Sequence, residues 1–224
     1  DDLLMTSQEK GGVESIIREL EKKFEKVTHE IGSELNYLGQ HIKFNNDGSV
    51  DVTMDKMMDD IINDAIELEL IDKVSNKRIK SPGSESLFNI DDELPLMNKD
   101  DSDTFHKMVA RLLYLSKRVK PEMLLTISFL STRVTKSTLE DMDKLKRVLE
   151  YLRNSQSDGM NGIKLKIGDK GMVVRAFIDA AYGVHEHSGK SQTGCTIKIG
   201  DASIFFHSSK QCIVVKSSTE AELV

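Results

Sequence analysis

Two cysteines, three prolines, no tryptophan and no long apolar run set the first limits on this 224-residue chain. Cys195 and Cys212 are too few for a disulfide framework and too far apart for a zinc site, so they read as small apolar residues of a reduced protein. No stretch approaches the roughly 18 consecutive apolar residues of a membrane span. The opening DDLLMTSQ has neither a basic region nor an apolar core, which predicts no signal peptide. It also lacks an initiator Met, and the last residues fall inside an apparent helix, so both ends read as cut. No internal repeat or low-complexity tract is present. These absences predict an intracellular protein without a membrane partner. What remains, 38% apolar residues and a mean hydropathy of −0.35, suits a globular chain with a sizeable core.

Charge is scarce in net terms, −6 overall, but unevenly placed. Residues 1–104 carry a net −13, residues 105–154 a net +6 and residues 155–224 a net +1. A basic helical middle in an acidic chain is where a polyanion would be expected to lie, although a charge-rich helix surface is often only a solvated face.

Periodicity divides the chain. Val13, Ile16, Ile17, Leu20, Phe24 and Val27 fall at helical spacing and predict a helix over 12–27. LNYLGQHIKF and SVDVTM follow, joined by NNDG, whose Asp47-Gly48 pair signals a hairpin. Residues 55–71 predict a second amphipathic helix. Residues 72–103 are polar, contain Pro82 and Pro95, and read as a linker or long ordered loop and a candidate hinge. Helices are expected over 104–118, 121–133 and 138–153; Pro121 suits a first turn, and Thr138 with Asp141 approximates a capping box. After SQSDGMNG the period becomes 2 in GIKLKIG, MVVRAFIDA, TGCTIKIG and ASIFFH, before a short terminal helix.

The chemistry centres on Asp179, an aspartate flanked by Phe177, Ile178, Ala180 and Ala181 in an apolar strand. Burying such a carboxylate is costly unless a positive group sits against it. It can be structural, or it can be one ligand of a hydrolytic site in which acidic oxygens gather Mg²⁺ ions. The terminal run SSTEAELV supplies Glu220 and Glu222, two apart on a helix, so only one can face Asp179. Ser217, Ser218 and Thr219 are good helix starters. His185 and His187 have a His-x-His spacing but no third ligand nearby, which argues against a metal.

At these residues the chain resembles the Ty1/copia-type retrotransposon Pol polyproteins. Lys190, Ser191, Thr193, Gly194, Ser209, Lys210, Gln211 and the whole of SSTEAE match the pattern of their ribonuclease H domain. Ala181, Tyr182, Phe206 and Leu223 depart from it. FHKMVARLLYLSKRVKPEML, ISFLSTRV, DKLKRVLEYLRNS and LNYLGQHI are similar to segments from the reverse transcriptase primer grip onward, and DDLLMTSQ to the continuation of a Y-V-D-D turn.

The resemblance implies an α+β fold: a reverse transcriptase palm edge and helical thumb/connection, then a truncated ribonuclease H-like α/β domain. The implied divisions are 1–71 for palm end, primer-grip hairpin and following helix, 72–103 for the linker, 104–154 for the thumb/connection, and 163–224 for the ribonuclease H start. It further implies RNA-directed DNA synthesis with Asp1 and Asp2 as Mg²⁺ ligands, and hybrid cleavage with Asp179 and Glu222, the latter favoured over Glu220. The family's two later catalytic aspartates would lie beyond Val224, so this chain alone is expected to be silent. Tyr37, Lys117, Arg118, Lys120, Lys146 and Arg147, together with Arg133, Lys144 and Arg153, would lie near the primer–template duplex or RNA–DNA hybrid. The remainder of the polyprotein is the implied protein partner, and a cytoplasmic virus-like particle or the nucleus the implied location. The alternative is a domesticated or decayed element that binds nucleic acid without chemistry.

Overall fold

The apolar spacings fold into helices close to the expected limits. The computed structural model describes residues 2–9, 11–168 and 171–224. Helix α1 (Gly12–Phe24) stops short of residue 27 because Glu25 takes φ 59, a left-handed value that ends the helix. Strands β1 (Glu34–Tyr37), β2 (Gln40–Phe44) and β3 (Val50–Thr53) lead into α2 (Asp55–Glu67). LNYLGQHIKF is therefore not one strand. It bends at Leu38-Gly39, both at positive φ, and Tyr37 pairs with Gln40 in a two-residue hairpin. The expected Asn45–Ser49 turn follows as the second connection, with Gly48 at φ 74.

Helix α3 (Lys99–Ser116) begins five residues before the expected start. Asn98 caps it by accepting from the Asp101 N–H at 2.9 Å, and Asp100 and Asp101 in the first turn favour its positive end. A 3₁₀ turn at Pro121–Met123, α4 (Leu124–Ser131) and α5 (Leu139–Ser157) complete the helical layer. At the start of α5, Asp141 Oδ2 accepts from the Thr138 N–H at 3.0 Å, as its position in the sequence suggested.

Phe105, Met108, Leu112 and Leu115 of α3 pack with Ile127 and Leu130 of α4, with Leu145, Val148, Leu149 and Leu152 of α5 and with Met58, Ile61 and Ala65 of α2. All are buried. Each large side chain withdrawn from water contributes about 1.5–3 kcal/mol, so this cluster is the main source of cohesion. The stretch between α2 and α3 is held against it rather than free to hinge. Leu87 is in the core, Ile79, Phe88, Ile90 and Met97 pack onto it, and the Ile79 N–H donates to Asn154 Oδ1 at 2.7 Å. It is the long ordered loop of the two readings.

Two antiparallel sheets flank the helices. The first has the order β1-β2-β3-β4, because β4 (Gly162–Leu165) pairs with β3 instead of with the strands that follow it. Gly162 makes this approach possible: a Cβ there would lie 2.1 Å from the Val52 carbonyl oxygen. A division at residue 163 thus falls inside a strand of the first sheet. The second sheet is the meander β5 (Val174–His185), β6 (Lys190–Ile199) and β7 (Ala202–Lys210), followed by α6 (Ser218–Glu222).

Candidate nucleic-acid interface

Strand register decides which way Asp179 points. Asp179 pairs with Gly194, and Gly194 with Ser208, so these three share one face of the second sheet. On the same face, Gln192 Nε2 donates to Ser208 Oγ at 2.9 Å and to Ser128 Oγ of α4 at 3.2 Å. Asp179 therefore faces the helical layer. It lines a groove of about 650 Å³ with Pro121, Glu122, Leu125, Phe177 and Phe206. The carboxylate is exposed and not buried, which removes the desolvation cost anticipated from its apolar neighbours.

Helix α6 lies on the other face. Gln211 Nε2 donates to Thr193 Oγ1 and to the Ala221 carbonyl, both at 2.8 Å, and Thr193 alternates with Gly194 along β6. The pleat turns Asp179 to the face opposite the one on which Gln211 ties Thr193 to α6, and no hydrogen bond or ion pair joins Glu222 to it among the described residues. Glu220 closes the start of α6: its carboxylate accepts from the Lys216 N–H at 2.7 Å, and its own N–H donates to Ser217 Oγ at 3.2 Å. Glu222 is exposed and makes no hydrogen bond or ion pair among the described residues. The carboxylate that shares Asp179's groove is Glu122. Among the described residues no group of three or more His, Cys, Asp or Glu side chains could hold a metal ion.

Asp1 lies outside the described residues. Asp2 is exposed and borders a cleft of about 360 Å³ between α1 and β1, lined also by Leu3, Ile17 and Tyr37. Tyr37 is half-buried and packs against the core, so its first role is in packing.

The basic residues separate into two sets. Lys120 is 1% exposed; its Nζ donates to the Met160 carbonyl at 2.8 Å, pairs with Glu122 at 2.7 Å and sits 5.9 Å from the Tyr151 ring centroid. This corrects its assignment to a nucleic-acid surface. Arg133 is likewise buried against Asp141, with Nε 3.1 Å from Oδ2. Lys144 Nζ reaches the Asn89 carbonyl at 2.5 Å and Glu140 at 3.1 Å, and Arg153 joins Glu150 and the Asp72 carbonyl. These four cations hold the helices to each other and to the loop. Lys117 is exposed, and Arg118 lies 3.4 Å over the Tyr114 ring, beside Phe205 of β7. Lys146 is half-exposed, with a long 3.8 Å approach to Asp143. Arg147 lines an open groove with Ser81, Ser84 and Thr126, and its Nε has no partner.

The two loop histidines take separate partners. His185 is buried, with Nε2 2.8 Å from Gln192 Oε1 and its ring against Phe88 and Phe129. Burial pushes its pKa below the ordinary value of 6.5. His187 Nδ1 lies 2.9 Å from Asp92. A shared metal is not what they are arranged for. Sequence reasoning missed the polar hub around Gln192, whose sole signal was its place in the KSQTG run.

Comparison with known proteins bears on the whole length. The chain is 26% identical over 222 residues to an uncharacterised mitochondrial protein of Arabidopsis thaliana, covering 99% of this chain and 85% of that protein. It is 22% identical over 231 residues to the truncated transposon Ty1-A Gag-Pol polyprotein of Saccharomyces cerevisiae, where it spans all of this chain but 19% of the relative. It is 32% identical over 122 residues to the retrovirus-related Pol polyprotein from transposon RE1 of Arabidopsis thaliana, covering 54% of this chain and 8% of that one. No family model and no solved structure matches it.

Proposed function

The chain is related to the Pol polyproteins of Ty1/copia-type transposons, and from that premise we propose that it holds an RNA–DNA hybrid or primer–template duplex within such a polyprotein. In this reading the first sheet and the helices correspond to the end of a reverse transcriptase palm, its primer-grip hairpin and its thumb/connection. Strands β5–β7 with α6 correspond to the opening of a ribonuclease H-like domain. The observation that carries the proposal is the junction of the two: a groove between α4 and the sheet, with Asp179 in it, adjoined at Phe206 and His207 by a cleft that Lys117 and Arg118 line.

Lys117, Arg118, Lys146 and Arg147 keep capacity for phosphate contacts, which give affinity without choice of sequence. Lys120 acts through position, holding Glu122 at the groove edge. A two-ion Mg²⁺ site needs several acidic oxygens converging on one point. Among the described residues no group of three or more such side chains gathers, so no hydrolytic step is assigned to this chain alone. Asp1 and Asp2 remain polymerase ligands by resemblance only. A second reading, a domesticated nucleic-acid-binding protein without chemistry, is favoured by the same dispersed carboxylates. Both readings require duplex binding. Fluorescence anisotropy with a labelled RNA–DNA hybrid at several salt concentrations should give an affinity that falls linearly on a log–log plot, with a shallower slope in Lys117→Met/Arg118→Met. Absence of salt-dependent binding would exclude both.

A further inference from the structure

Three lysines meet beside the buried Gln192–His185 pair without a carboxylate. Lys190 and Gln192 stand two apart on β6 and so share a face, and Gln192 pairs across with Lys210 on β7. Both lysines thus border the junction with α4. The third, Lys136, belongs to the loop between α4 and α5, which is anchored where Arg133 Nη2 donates to the Lys136 carbonyl at 3.1 Å. Burial, and then the nearby charges of Lys190 and Lys136, depress the pKa of Lys210. Among the described residues none of the three forms an ion pair.

Elsewhere the opposite holds. Lys120 has Glu122, Lys144 has Glu140 and Arg133 has Asp141. Those buried cations are partnered, whereas half-buried Lys190 and Lys210 and exposed Lys136 leave a local positive field that an anion would relieve. The location is also particular. The row Ala181–Gln192–Lys210 is one same-face step, about 6–7 Å, from the row Asp179–Gly194–Ser208.

We propose that Lys136, Lys190 and Lys210 form a phosphate-binding site, occupied by a backbone phosphate of a nucleic acid that passes from the helical layer onto the face bearing Asp179. The identity of the occupant rests on the proposed function; the anion chemistry does not.

The test follows the lysine side-chain NMR signals of the full 224-residue protein. Inorganic phosphate is titrated against chloride at constant ionic strength. The signals of Lys136, Lys190 and Lys210 should move together and saturate, while that of exposed Lys22 should not. In Lys190→Met the Lys210 response should weaken about tenfold, and Lys136→Met, a change in an exposed loop, provides the same test with the fold undisturbed. A hybrid RNA–DNA duplex should bind about tenfold more weakly to either variant, with a salt slope lower by about 1. A phosphate response without any change in hybrid affinity overturns the nucleic-acid occupant and leaves a free-phosphate site. No saturable response to phosphate overturns the site itself. A wild type that responds to phosphate but binds no hybrid upholds the site and refutes the proposed function.

Discussion

Replacing Lys120 by methionine should cost less stability than replacing its partner Glu122 by alanine. The asymmetry follows from burial: the Lys120 side chain is 1% exposed and that of Glu122 is 38% exposed. Methionine fills similar space and removes the buried charge, so the loss is chiefly the charge-assisted bonds to Glu122 and the Met160 carbonyl. Part of that is offset by the desolvation no longer required, leaving about 1–2 kcal/mol. Removing Glu122 instead strands an ammonium group with one carbonyl and the face of Tyr151. Breaking a buried pair in this way costs about 3–5 kcal/mol, reduced here to about 2–4 because Glu122 is itself partly hydrated. Urea unfolding of both variants and the double variant reads these values directly. Tyr151 offers a second reading, since burial and then the Glu122 carboxylate raise its phenol to about 12. In Glu122→Ala its titration should move down. The reasoning fails if Lys120→Met costs more than Glu122→Ala. It fails equally if Lys120→Met leaves the urea midpoint unchanged and abolishes hybrid binding, because the ammonium would then face nucleic acid.

Two further outcomes follow from the polar hub under the second sheet. His185 is held neutral by burial below its ordinary value of 6.5, so the unfolded chain takes up its proton first as pH falls. The stability this contributes is fully present above pH 6.5 and is lost as pH drops from there through the depressed folded value, at up to about 1.4 kcal/mol per pH unit; denaturation of His185→Asn across this window should show a flatter dependence. Gln192→Leu removes both the acceptor of His185 and the donor to Ser128 and Ser208. Leaving those buried partners unsatisfied should cost about 2–4 kcal/mol in urea unfolding, and a neutral result would show that the hub does not bind sheet to helices.

The helices were legible because their apolar stripes follow one local period. Phe105, Val109, Leu112 and Leu115 declare α3 without help from the rest of the chain. Its early start was legible too, in Asn98 followed by Asp100 and Asp101, but the polar composition around it reads equally well as a linker. Strand partners were not legible. GIKL joins β3 rather than β5 through a non-local choice, and only the close backbone approach at Gly162 hints at it. The basic residues were visible as a cluster, yet nothing local separates Lys117 from Lys120. What separates them is Glu122 and the Met160 carbonyl, the latter forty residues away, folded over the ammonium group. Asp179 and Glu222 were read from the sequence as two ligands that would share an ion. The face that Asp179 takes depends on a register of three strands that spacing alone does not reveal.

The most direct test of the account combines binding and chemistry in one sample: the 224-residue protein with an RNA–DNA hybrid and Mg²⁺, read by gel shift and by product analysis. The account predicts a salt-sensitive complex and an intact RNA strand. Mg²⁺-dependent cleavage that disappears in Asp179→Asn would contradict it, because the dispersed carboxylates would then have to assemble on the duplex into a working site.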